Sequence, residues 1–382
     1  MNSLRDICDY VVTRTNIIEN YISTENMLPN KGGVCDTLKV PSGGIGTKYQ
    51  VGDILISNIR PYFKKIWQAD CEGACSTDVL CLRANENVDS RFLYYLLTQQ
   101  SFFDYVMSGT KGCKMPRGDK QQIMQWHIHL PSLVEQKKIA GVLSTLDAKI
   151  QLNRRINDNL EQQAQTLYKS WFVDFEPFKD GEFIESELGQ IPEGWQCIPF
   201  SMFVSESKAK TGKIGIKEYS VTNNGIFPRN AKYNKSLSQS STKNKLILYG
   251  DLVFGMSRDI LNWGVMQEEQ GGVSSAYTVY NINSGIVNST YLELFIKSRI
   301  HLFSDLIRPA AREGQGIDKS VLQTKVLLCP PQEVLDTFWP LYNSVTNQIQ
   351  TTTTEINCLG DVRDTFLPKL MSGELKINEI DC

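Results

Sequence analysis

Between Ile139 and Trp171 the sequence has a helical pattern of apolar residues that limits the folds open to it. Apolar side chains recur there at alternating intervals of three and four residues, which is the period of a coiled coil. The pattern predicts a rod over residues 132–172, roughly 60 Å long at 1.5 Å per residue. A lone rod cannot bury such a seam, so a second helix must pack against it. The predicted seam of the first rod is Ile139, Leu143, Leu146, Ile150, Asn153, Asn157, Leu160, Ala164, Leu167 and Trp171.

A second rod, over residues 332–370, has a similar period and is the predicted partner. Because proline is tolerated only in the first turn of a helix, Pro340 is expected there. Four threonines from Thr351 onward predict a weak or bent middle, opposite Asn153 and Asn157. Two interpretations of this polar level stay open: it fixes the helix register, or it is a loosely packed waist that solvent reaches. The predicted seam of the second rod is Phe338, Leu341, Val345, Ile349, Thr352, Ile356, Leu359 and Phe366.

A faint internal repeat relates the two halves of the chain. With an offset of 198 residues, Tyr21, Thr24, Asn26, Gly52, Asp53, Arg60, Gly73 and Ser76 fall on Tyr219, Thr222, Asn224, Gly250, Asp251, Arg258, Gly271 and Ser274. After one insertion the offset becomes 199, and Leu93, Pro131 and Ile150 fall on Leu292, Pro330 and Ile349. The segments VGDILIS and YGDLVFG each predict a turn followed by a β-strand.

The predicted fold is therefore α+β, with two similar globular domains separated by two long antiparallel coiled-coil helices and a pseudo-twofold internal repeat. The first domain is assigned to residues 1–130 and the first spacer helix to 131–175. A linker follows over 176–194, and the second domain occupies 195–329. The second spacer helix is assigned to 330–375. In this arrangement the helices hold the two domains apart.

Composition and motifs argue against several functional classes. No apolar run reaches the roughly 18 residues of a membrane span, and the charged N-terminus does not resemble a secretory signal, so a cytoplasmic protein is expected. Ten cysteines without a C-x-x-C pair are expected as free thiols. No phosphate-binding loop, complete dinucleotide fingerprint or amino-methyltransferase tetrapeptide occurs. His127 and His129 lack further ligands at suitable spacing, so no metal site is predicted. The chain is expected to bind rather than to catalyse.

Local charge favours nucleic acid as the ligand, although the whole chain has 40 Lys and Arg against 42 Asp and Glu. Residues 195–328 carry 16 basic against 10 acidic residues, and basic residues cluster at 60–67, 111–122 and 308–320. Arg, Lys and Gln on loops contact base edges and phosphates, whereas ordinary solvated loops are the alternative. The predicted DNA contacts are Arg60, Lys64, Lys65, Lys111, Lys114, Arg117, Lys120, Arg258, Arg308, Arg312, Gln315 and Lys319.

Some of these residues have more specific expected roles. Lys64 and Lys65 are expected to hold phosphates. Arg60 and Arg258 are either phosphate anchors or partners in a salt bridge within each domain. The neighbouring aromatics Tyr62, Phe63 and Trp67 either stack on bases or pack in the core.

Six segments of the chain are distinctive: LPSLVEQKKIAGVLSTLDAKI, LEQQAQTLYKSWFVDFEPF, LGQIPEGW and RDTFLPKLMSGEL, with YISTENM and ISNIRPYFKK in the first domain. They closely resemble segments of the specificity subunit of type I restriction–modification systems. The resemblance spans the whole chain and is strongest over 130–195 and 361–375. One departure is that Pro192, Gly194 and Trp195, which open the second domain, have no counterpart at the start of the first.

This resemblance implies two target-recognition domains and helices that set the gap between two DNA half-sites. It implies two DNA-adenine methyltransferase subunits and restriction/translocase subunits as partners. The chain itself would perform no chemistry and hold no cofactor, with S-adenosylmethionine, ATP and Mg expected on partner subunits only. The predicted function is sequence-specific recognition of an asymmetric bipartite double-stranded DNA target. A free-standing coiled-coil DNA-binding regulator is the alternative, and an enzyme with a new type of active site is the third candidate.

Overall fold

The computed structural model describes residues 2–16, 19–35, 45–110, 114–213, 215–229, 241–255, 260–307 and 317–377. The chain divides into two compact units. Unit 1 comprises Met1–Asn159 and Gln348–Cys382, and unit 2 comprises Leu160–Asn347. In the part of the chain that the structure describes, no helix combines the length and the apolar character needed to cross a bilayer.

Each unit contains an α+β domain and parts of two long helices. The elements of the first half are β1 Asn2–Ser3, β2 Cys8–Tyr10, β3 Arg14–Thr15, β4 Gly46–Tyr49, β5 Ile54–Ser57, β6 Ile66–Gln68, β7 Gly73–Cys75, β8 Val79–Ala84, α1 Ser90–Leu97, α2 Gln100–Ser108, α3 Lys120–Ile123, β9 His127–Ile128 and α4 Leu133–Phe172. Those of the second half are β10 Phe183–Ser186, β11 Gly189–Pro192, β12 Gln196–Pro199, β13 Val204–Ser207, β14 Tyr219–Thr222, β15 Gly225–Pro228, β16 Lys245–Leu248, β17 Leu252–Phe254, β18 Trp263–Val265, β19 Gln270–Val273, β20 Thr278–Ile282, α5 Ser289–Ser298, α6 Lys319–Thr324, β21 Val326–Cys329 and α7 Gln332–Ser372. The α+β class and the two long helices are confirmed.

The main sheets of the two units share one strand order. Unit 1 has β2-β8-β5-β6 and unit 2 has β13-β20-β17-β18, all antiparallel. Ile54 pairs with Leu82 in unit 1, and Leu252 pairs with Tyr280 in unit 2. Adding 198 to the first pair gives the second, so the two central strands have the same register in both units. The internal repeat is therefore confirmed in strand order and in the register of the central pair.

The glycines of the two predicted Gly-Asp turns have the same backbone conformation. Gly52 has φ 90° and Gly250 has φ 85°, a region that glycine adopts without the steric cost of a Cβ. Each turn leads directly into the central strand of its sheet. The turn-then-strand prediction is therefore confirmed at both positions.

The aspartate that follows each glycine is buried, but its partner differs between the units. Asp53 accepts hydrogen bonds from Nε and Nη2 of Arg83, both at 2.7 Å. Asp251 accepts from the amide of Asn281 at 2.8 Å and from the backbone N–H of Leu248 at 2.8 Å. Burial raises the pKa of Asp251, and the two hydrogen bonds only partly oppose this. Both units thus have a buried carboxylate at this position, but its side-chain partner is the cation of Arg83 in unit 1 and the neutral amide of Asn281 in unit 2.

The core of unit 1 draws on both ends of the chain. Ile139 and Leu143 of α4 are buried there with Leu367, Leu370 and Met371 of α7, against helices α1 and α2. These side chains are apolar and less than a tenth exposed, and burial of each stabilises the unit by about 1.5–3 kcal/mol. The N-terminal domain and the C-terminal end of the chain therefore fold as one cooperative body.

In unit 1 the two long helices run antiparallel and meet at a polar layer. Nδ2 of Asn153 donates to Glu355 at 2.9 Å, and Nδ2 of Asn157 donates to the hydroxyl of Thr353 at 3.0 Å. Lys149 also pairs with Glu355, at 3.3 Å. Because Asn153 is only 1% exposed, this level is a hydrogen-bonded layer rather than a waist that solvent fills.

The buried seam of α4 drifts from the strict heptad. Of the predicted positions, Ile139, Leu143, Ile150, Asn153 and Ala164 are buried, whereas Leu146, Asn157, Leu160, Leu167 and Trp171 are half-buried. Near the end of the helix, in unit 2, Tyr168 and Phe172 are the buried side chains. A straight helix moves about 20° per heptad relative to a 3.5-residue repeat, so over four heptads the buried face shifts by nearly one residue.

The seam predicted for α7 needs one correction. Phe338 and Thr352 are buried, and Val345, Ile349, Ile356, Leu359 and Phe366 are half-buried. Leu341 is 48% exposed, so its assignment to the seam was wrong. The half-buried Tyr342 stacks on Phe338 instead, at a centroid distance of 5.5 Å.

One expectation about the backbone of α7 was wrong. Pro340 lies inside the helix, which begins at Gln332, rather than in its first turn. The ring of Phe338 packs on Tyr168 and Phe172, and this packing within unit 2 favours a helical first segment despite the proline. The threonine run lies within the α-helix, where the hydroxyl of Thr352 donates to the carbonyl four residues earlier at 2.8 Å. Such a bond slightly destabilises and often bends a helix, so the weak or bent middle stays a prediction.

Candidate nucleic-acid interface

Two adjoining loops of unit 1, residues 29–32 and 60–65, form a structure that we call the double loop. The backbone N–H of Asn30 donates to the carbonyl of Phe63 at 2.8 Å, and that of Lys31 donates to the carbonyl of Lys64 at 2.9 Å. Asn30, Lys31, Arg60 and Lys64 have φ between 51° and 61°, and they are four of the six non-glycine residues with positive φ in the described chain. Such a conformation costs about 1–2 kcal/mol for most residues, so the double loop is held in a strained and defined shape.

A second segment, residues 116–118, pairs with the start of the double loop. The backbone N–H of Arg60 donates to the carbonyl of Pro116 at 2.8 Å, and Ile59 forms an antiparallel bridge with Arg117. Segments distant in sequence thereby bring their basic residues together. We call Lys31, Arg60, Lys64, Lys65 and Arg117 cationic cluster 1.

The two adjacent lysines of this cluster have neutral partners. Nζ of Lys64 donates to the side-chain carbonyl of Gln100, and Nζ of Lys65 donates to the backbone carbonyl of Thr24 at 2.7 Å. Burial lowers the pKa of Lys65. Because their hydrogen-bond partners carry no negative charge, these two ammonium groups are available to a phosphate.

The two arginines of the cluster differ in their partners. Nη2 of Arg117 lies 3.1 Å from a carboxylate oxygen of Asp78, and the Arg117 side chain is 57% exposed. An exposed pair of this kind contributes only about 0–1 kcal/mol, so a phosphate or a base edge can compete for the guanidinium. Nε of Arg60 is buried and has no hydrogen-bond partner among the described residues. No described carboxylate forms an ion pair with Arg60, so the structure offers no salt bridge for it within the described residues.

Cationic cluster 1 is connected to both long helices through a chain of charged groups in unit 1. Nζ of Lys31 lies 4.0 Å from Asp364 of α7, and Arg363 bonds Asp364 and Asp147 of α4, each at 2.8 Å. The hydroxyl of Tyr95 donates to Asp147 at 2.7 Å. Burial lowers the pKa of Lys31, which the nearby carboxylate of Asp364 opposes. The position of Lys31 is therefore set by the helices as well as by the loop.

The remaining predicted contacts of unit 1 are placed differently. Lys114 is exposed in a loop, whereas Lys111 lies outside the described residues. Lys120 begins helix α3, because the carboxylate of Asp119 accepts hydrogen bonds from the N–H groups of the first turn. Its assignment to a loop was wrong.

In unit 2 most predicted contacts lie outside the described residues, namely Arg258, Arg308, Arg312 and Gln315. Lys319 is described, and it begins helix α6 after the capping residue Asp318. Its Nζ donates to Glu206 at 2.6 Å. The loop assignment was wrong for Lys319 as it was for Lys120.

Unit 2 contains a second group of cations, which we call cationic cluster 2: Lys208, Lys245 and Lys319, around Glu206. The hydrogen bond from Lys319 lowers the pKa of Glu206, and the charges of Lys245 and Lys208 add to this effect. Burial lowers the pKa of Lys245, whose Nζ donates to the backbone carbonyl of Tyr277. The sequence analysis missed Lys208 and Lys245, since only the pairing of distant strands brings them beside Lys319.

The three aromatics of the first basic segment have distinct environments. Trp67 packs edge-on against the buried Tyr49 at 5.9 Å, so it belongs to the core. Phe63 lies under Nζ of Lys65, 5.9 Å from the ring centroid. Tyr62 is 47% exposed. Tyr62 is therefore the most exposed of the three and the one best placed to contact a ligand.

Metal-ligating side chains are not grouped in the described ranges: no three His, Cys, Asp or Glu residues lie close enough to share an ion. His127 lies in strand β9 and is exposed. The described cysteines are free thiols.

Comparison with known proteins gives a consistent result. Residues 8–162 match the family model described as the type I restriction modification DNA specificity domain. The type I restriction enzyme MjaIX specificity subunit of Methanocaldococcus jannaschii is 28% identical over 311 residues, which cover 77% of this chain and 71% of that protein. The HindI specificity subunit of Haemophilus influenzae is 32% identical over 167 residues, covering 42% of this chain and only 36% of that protein.

Solved structures support the fold. A chain from a study of complex assembly and conformational transition of the type I R-M system has a TM-score of 0.51 at 16% identity, over 98% of this chain and 97% of that one. The S subunit of a type I restriction–modification system from M. genitalium has a TM-score of 0.50 at 13% identity, over 97% and 95%. At such identities the likeness shows the fold alone. With the family model and the sequence relatives, the comparison shows a chain that is similar to the specificity subunits of type I restriction–modification systems.

Proposed function

We propose that this chain recognises an asymmetric, bipartite double-stranded DNA target, with one half-site read by each α+β domain. The recognition domains are assigned to residues 1–130 and 195–329. The spacer helices are assigned to 131–175 and 330–375, with a linker at 176–194. The chain acts in the cytoplasm and performs no chemistry itself.

One observation carries this proposal: each unit holds a cluster of cations whose partners are neutral or exchangeable. Among the described residues of unit 1, Lys64 and Lys65 donate to neutral oxygens, and the exposed Arg117 has a surface carboxylate as its partner. In unit 2, Lys319 donates to the carboxylate of Glu206, and the charges of Lys208 and Lys245 act on the same carboxylate. Such groups hold DNA phosphates and release counterions on binding.

The predicted contacts divide into two roles under this proposal. Lys64 and Lys65 hold phosphates, and Arg60 and Arg258 are either phosphate anchors or salt-bridge partners within each domain. The base-edge contacts are Lys111, Lys114, Arg117 and Lys120 of unit 1 and Arg308, Arg312, Gln315 and Lys319 of unit 2. Loss of a base-reading arginine is expected to cost about 1–3 kcal/mol and to relax one base position. Loss of a phosphate lysine weakens binding to all sequences and lowers the salt slope by about 1.

The partners are proposed from the family. Two DNA-adenine methyltransferase subunits and the restriction/translocase subunits dock on the complex, and they hold S-adenosylmethionine, ATP and Mg. The methyl groups are then placed at one adenine per half-site, on opposite strands.

The test is base-modification sequencing of the source genome with the gene intact, deleted and restored. N6-methyladenine at one gapped, two-part motif should disappear on deletion and return with the wild-type gene. Restoration with the Lys64→Ala, Lys65→Ala double variant should return less methylation at every occurrence of the motif. Lys48→Ala removes an exposed lysine that pairs with Glu72 outside cluster 1 and serves as the matched control.

Replacement of residues 1–130 by the same region of a relative should change only one half of the motif. A genome in which no gapped motif depends on the gene contradicts the proposal. The free-standing regulator then becomes the better explanation, and direct DNA binding by the purified chain tests it.

A further inference from the structure

We infer that Tyr62 stacks on a base step of the bound DNA and makes recognition of the first half-site depend on how easily that step deforms. This inference rests on the proposed function and assigns to one aromatic residue a role that electrostatic contacts alone do not supply.

The geometry of Tyr62 does not suit a role in folding. The residue lies in the 3-10 turn Pro61–Phe63, between Arg60 and Lys64, which both have φ 51°. Its side chain is 47% exposed. Its hydroxyl has no hydrogen-bond partner in the described part of the chain. Its one recorded ring contact is with Phe63, at a centroid distance of 4.7 Å and a tilt of 52°.

The base of the turn is firmly held, so the exposed ring is presented from a fixed position. Phe63 accepts a backbone hydrogen bond from Asn30 at 2.8 Å, and Nζ of Lys65 lies over its ring. The left-handed residues on both sides limit the backbone to one conformation. An aromatic side chain fixed in this way loses little conformational entropy when a base stacks on it.

The neighbourhood of Tyr62 combines apolar and cationic groups. Met115, which precedes the carbonyl that bonds Arg60, is 49% exposed, and Leu28, two residues before Asn30, is 37% exposed. Exposed apolar side chains between lysines and arginines are the combination by which proteins insert between base steps or stack on bases. The excess of positive charge in cationic cluster 1 favours DNA over an apolar protein surface or a second copy of this chain.

The consequence for specificity is indirect readout. Inserting the Tyr62 ring would unstack a base step, and the deformation energy is lower at pyrimidine–purine steps because they are the most flexible. The first half-site should therefore contain a preferred step that no hydrogen-bonding side chain contacts.

The test uses the full chain and duplexes carrying the motif identified by methylation sequencing, with 2-aminopurine placed in turn at each position of the first half-site. Binding of wild-type protein should increase the fluorescence at one step. Tyr62→Ala should abolish that increase and weaken binding by about 5- to 140-fold, the range for loss of one stacked base. Tyr62→Phe should retain both, because the ring and not the hydroxyl stacks.

Tyr249→Ala is the matched control, since this tyrosine of unit 2 is 61% exposed and its backbone N–H bonds Glu269. It should bind as the wild type does. Thermal unfolding of Tyr62→Ala should be unchanged, which separates loss of stacking from loss of fold.

Each outcome distinguishes the inference from the proposed function. If Tyr62→Ala binds and perturbs 2-aminopurine as the wild type does, while Lys64→Ala, Lys65→Ala weakens binding, only the stacking role is overturned. If neither variant affects DNA binding, cationic cluster 1 is not the interface and both ideas fail. If Tyr62→Ala changes the sedimentation of the free protein instead of its DNA affinity, the surface joins two copies of the chain and stacking is refuted.

Discussion

The buried aspartates Asp53 and Asp251, related by the internal repeat, should respond differently to the same substitution: asparagine should destabilise unit 1 but not unit 2. Asp53 is 1% exposed and makes a bidentate pair with Arg83 at 2.7 Å. In Asp53→Asn the guanidinium loses both charge-assisted bonds and faces an amide donor. Breaking a buried pair costs about 3–5 kcal/mol. Because the Arg83 side chain is 41% exposed and regains water, we expect a loss of about 2–3 kcal/mol.

Asp251 is 5% exposed and bonds the neutral amide of Asn281. Asp251→Asn removes a charge that burial disfavours, and the amide of Asn281 can rotate by 180° to offer its oxygen. The free energy of unfolding of unit 2 at neutral pH should therefore be unchanged or higher. The same substitution at equivalent positions should therefore destabilise unit 1 and leave unit 2 without loss of stability.

Hydrogen–deuterium exchange read by mass spectrometry is the suitable assay, because a chain with two units need not unfold in one step. In Asp53→Asn, exchange in Ile54–Ser57 should accelerate by about 30- to 140-fold, which corresponds to 2–3 kcal/mol, while Leu252–Phe254 should be unaffected. In Asp251→Asn, neither segment should accelerate. If the two variants accelerate exchange in their respective strands equally, Arg83 does not make the difference.

Three further predictions concern pH, the helix seam and the glycines. The folded-state pKa of Asp251 lies above its unfolded value of 3.8. The stability that protonated Asp251 contributes is therefore present below pH 3.8 and is lost as pH rises through the folded pKa. Protection of the Leu252–Phe254 amides from hydrogen exchange should fall over this pH interval in the wild type and stay level in Asp251→Asn. Replacing Asn153 and Asn157 by leucine should raise the free energy of unfolding by about 1–3 kcal/mol but permit more than one helix register. A single product when α4 is cross-linked to α7 in this variant would argue against a register role for the two asparagines. Gly141 lies in open space within α4, so Gly141→Ala should stabilise the protein by about 1 kcal/mol. Gly52 has φ 90°, so Gly52→Ala should destabilise it by about 1–2 kcal/mol. Urea unfolding measures both changes, and a change of the same sign in both variants would contradict the role assigned to backbone conformation.

The parts of the fold that sequence predicts are those with a strong local signal. The turn at Gly52 could be predicted because glycine and aspartate precede a β-rich run, and its repeat at Gly250 reinforced the assignment. The rods could be predicted because their apolar period extends over many turns. The end of the α4 seam could not, because a small difference in helical period accumulates until Tyr168 and Phe172 replace the expected positions.

The candidate sites were harder to predict, for two physical reasons. No sequence pattern indicates that Lys31, Arg60 and Lys64 adopt left-handed conformations, since these residue types rarely do. Lys245 joins Lys319 only through strand pairing, and local propensity says nothing about such contacts. One available signal was overlooked: Asp119 and Asp318 each precede a lysine as helix caps.

The composition of unit 1 has a consequence for how the protein is made. Its core needs Leu367, Leu370 and Met371, which leave the ribosome more than two hundred residues after the N-terminal strands. Until these residues emerge, the first domain exposes the apolar surface that α7 covers, while unit 2 is a single continuous segment, Leu160–Asn347, that is completed earlier. The order of folding should therefore be the reverse of the order of synthesis, and a chain stopped before residue 361 should lose its first domain rather than its last.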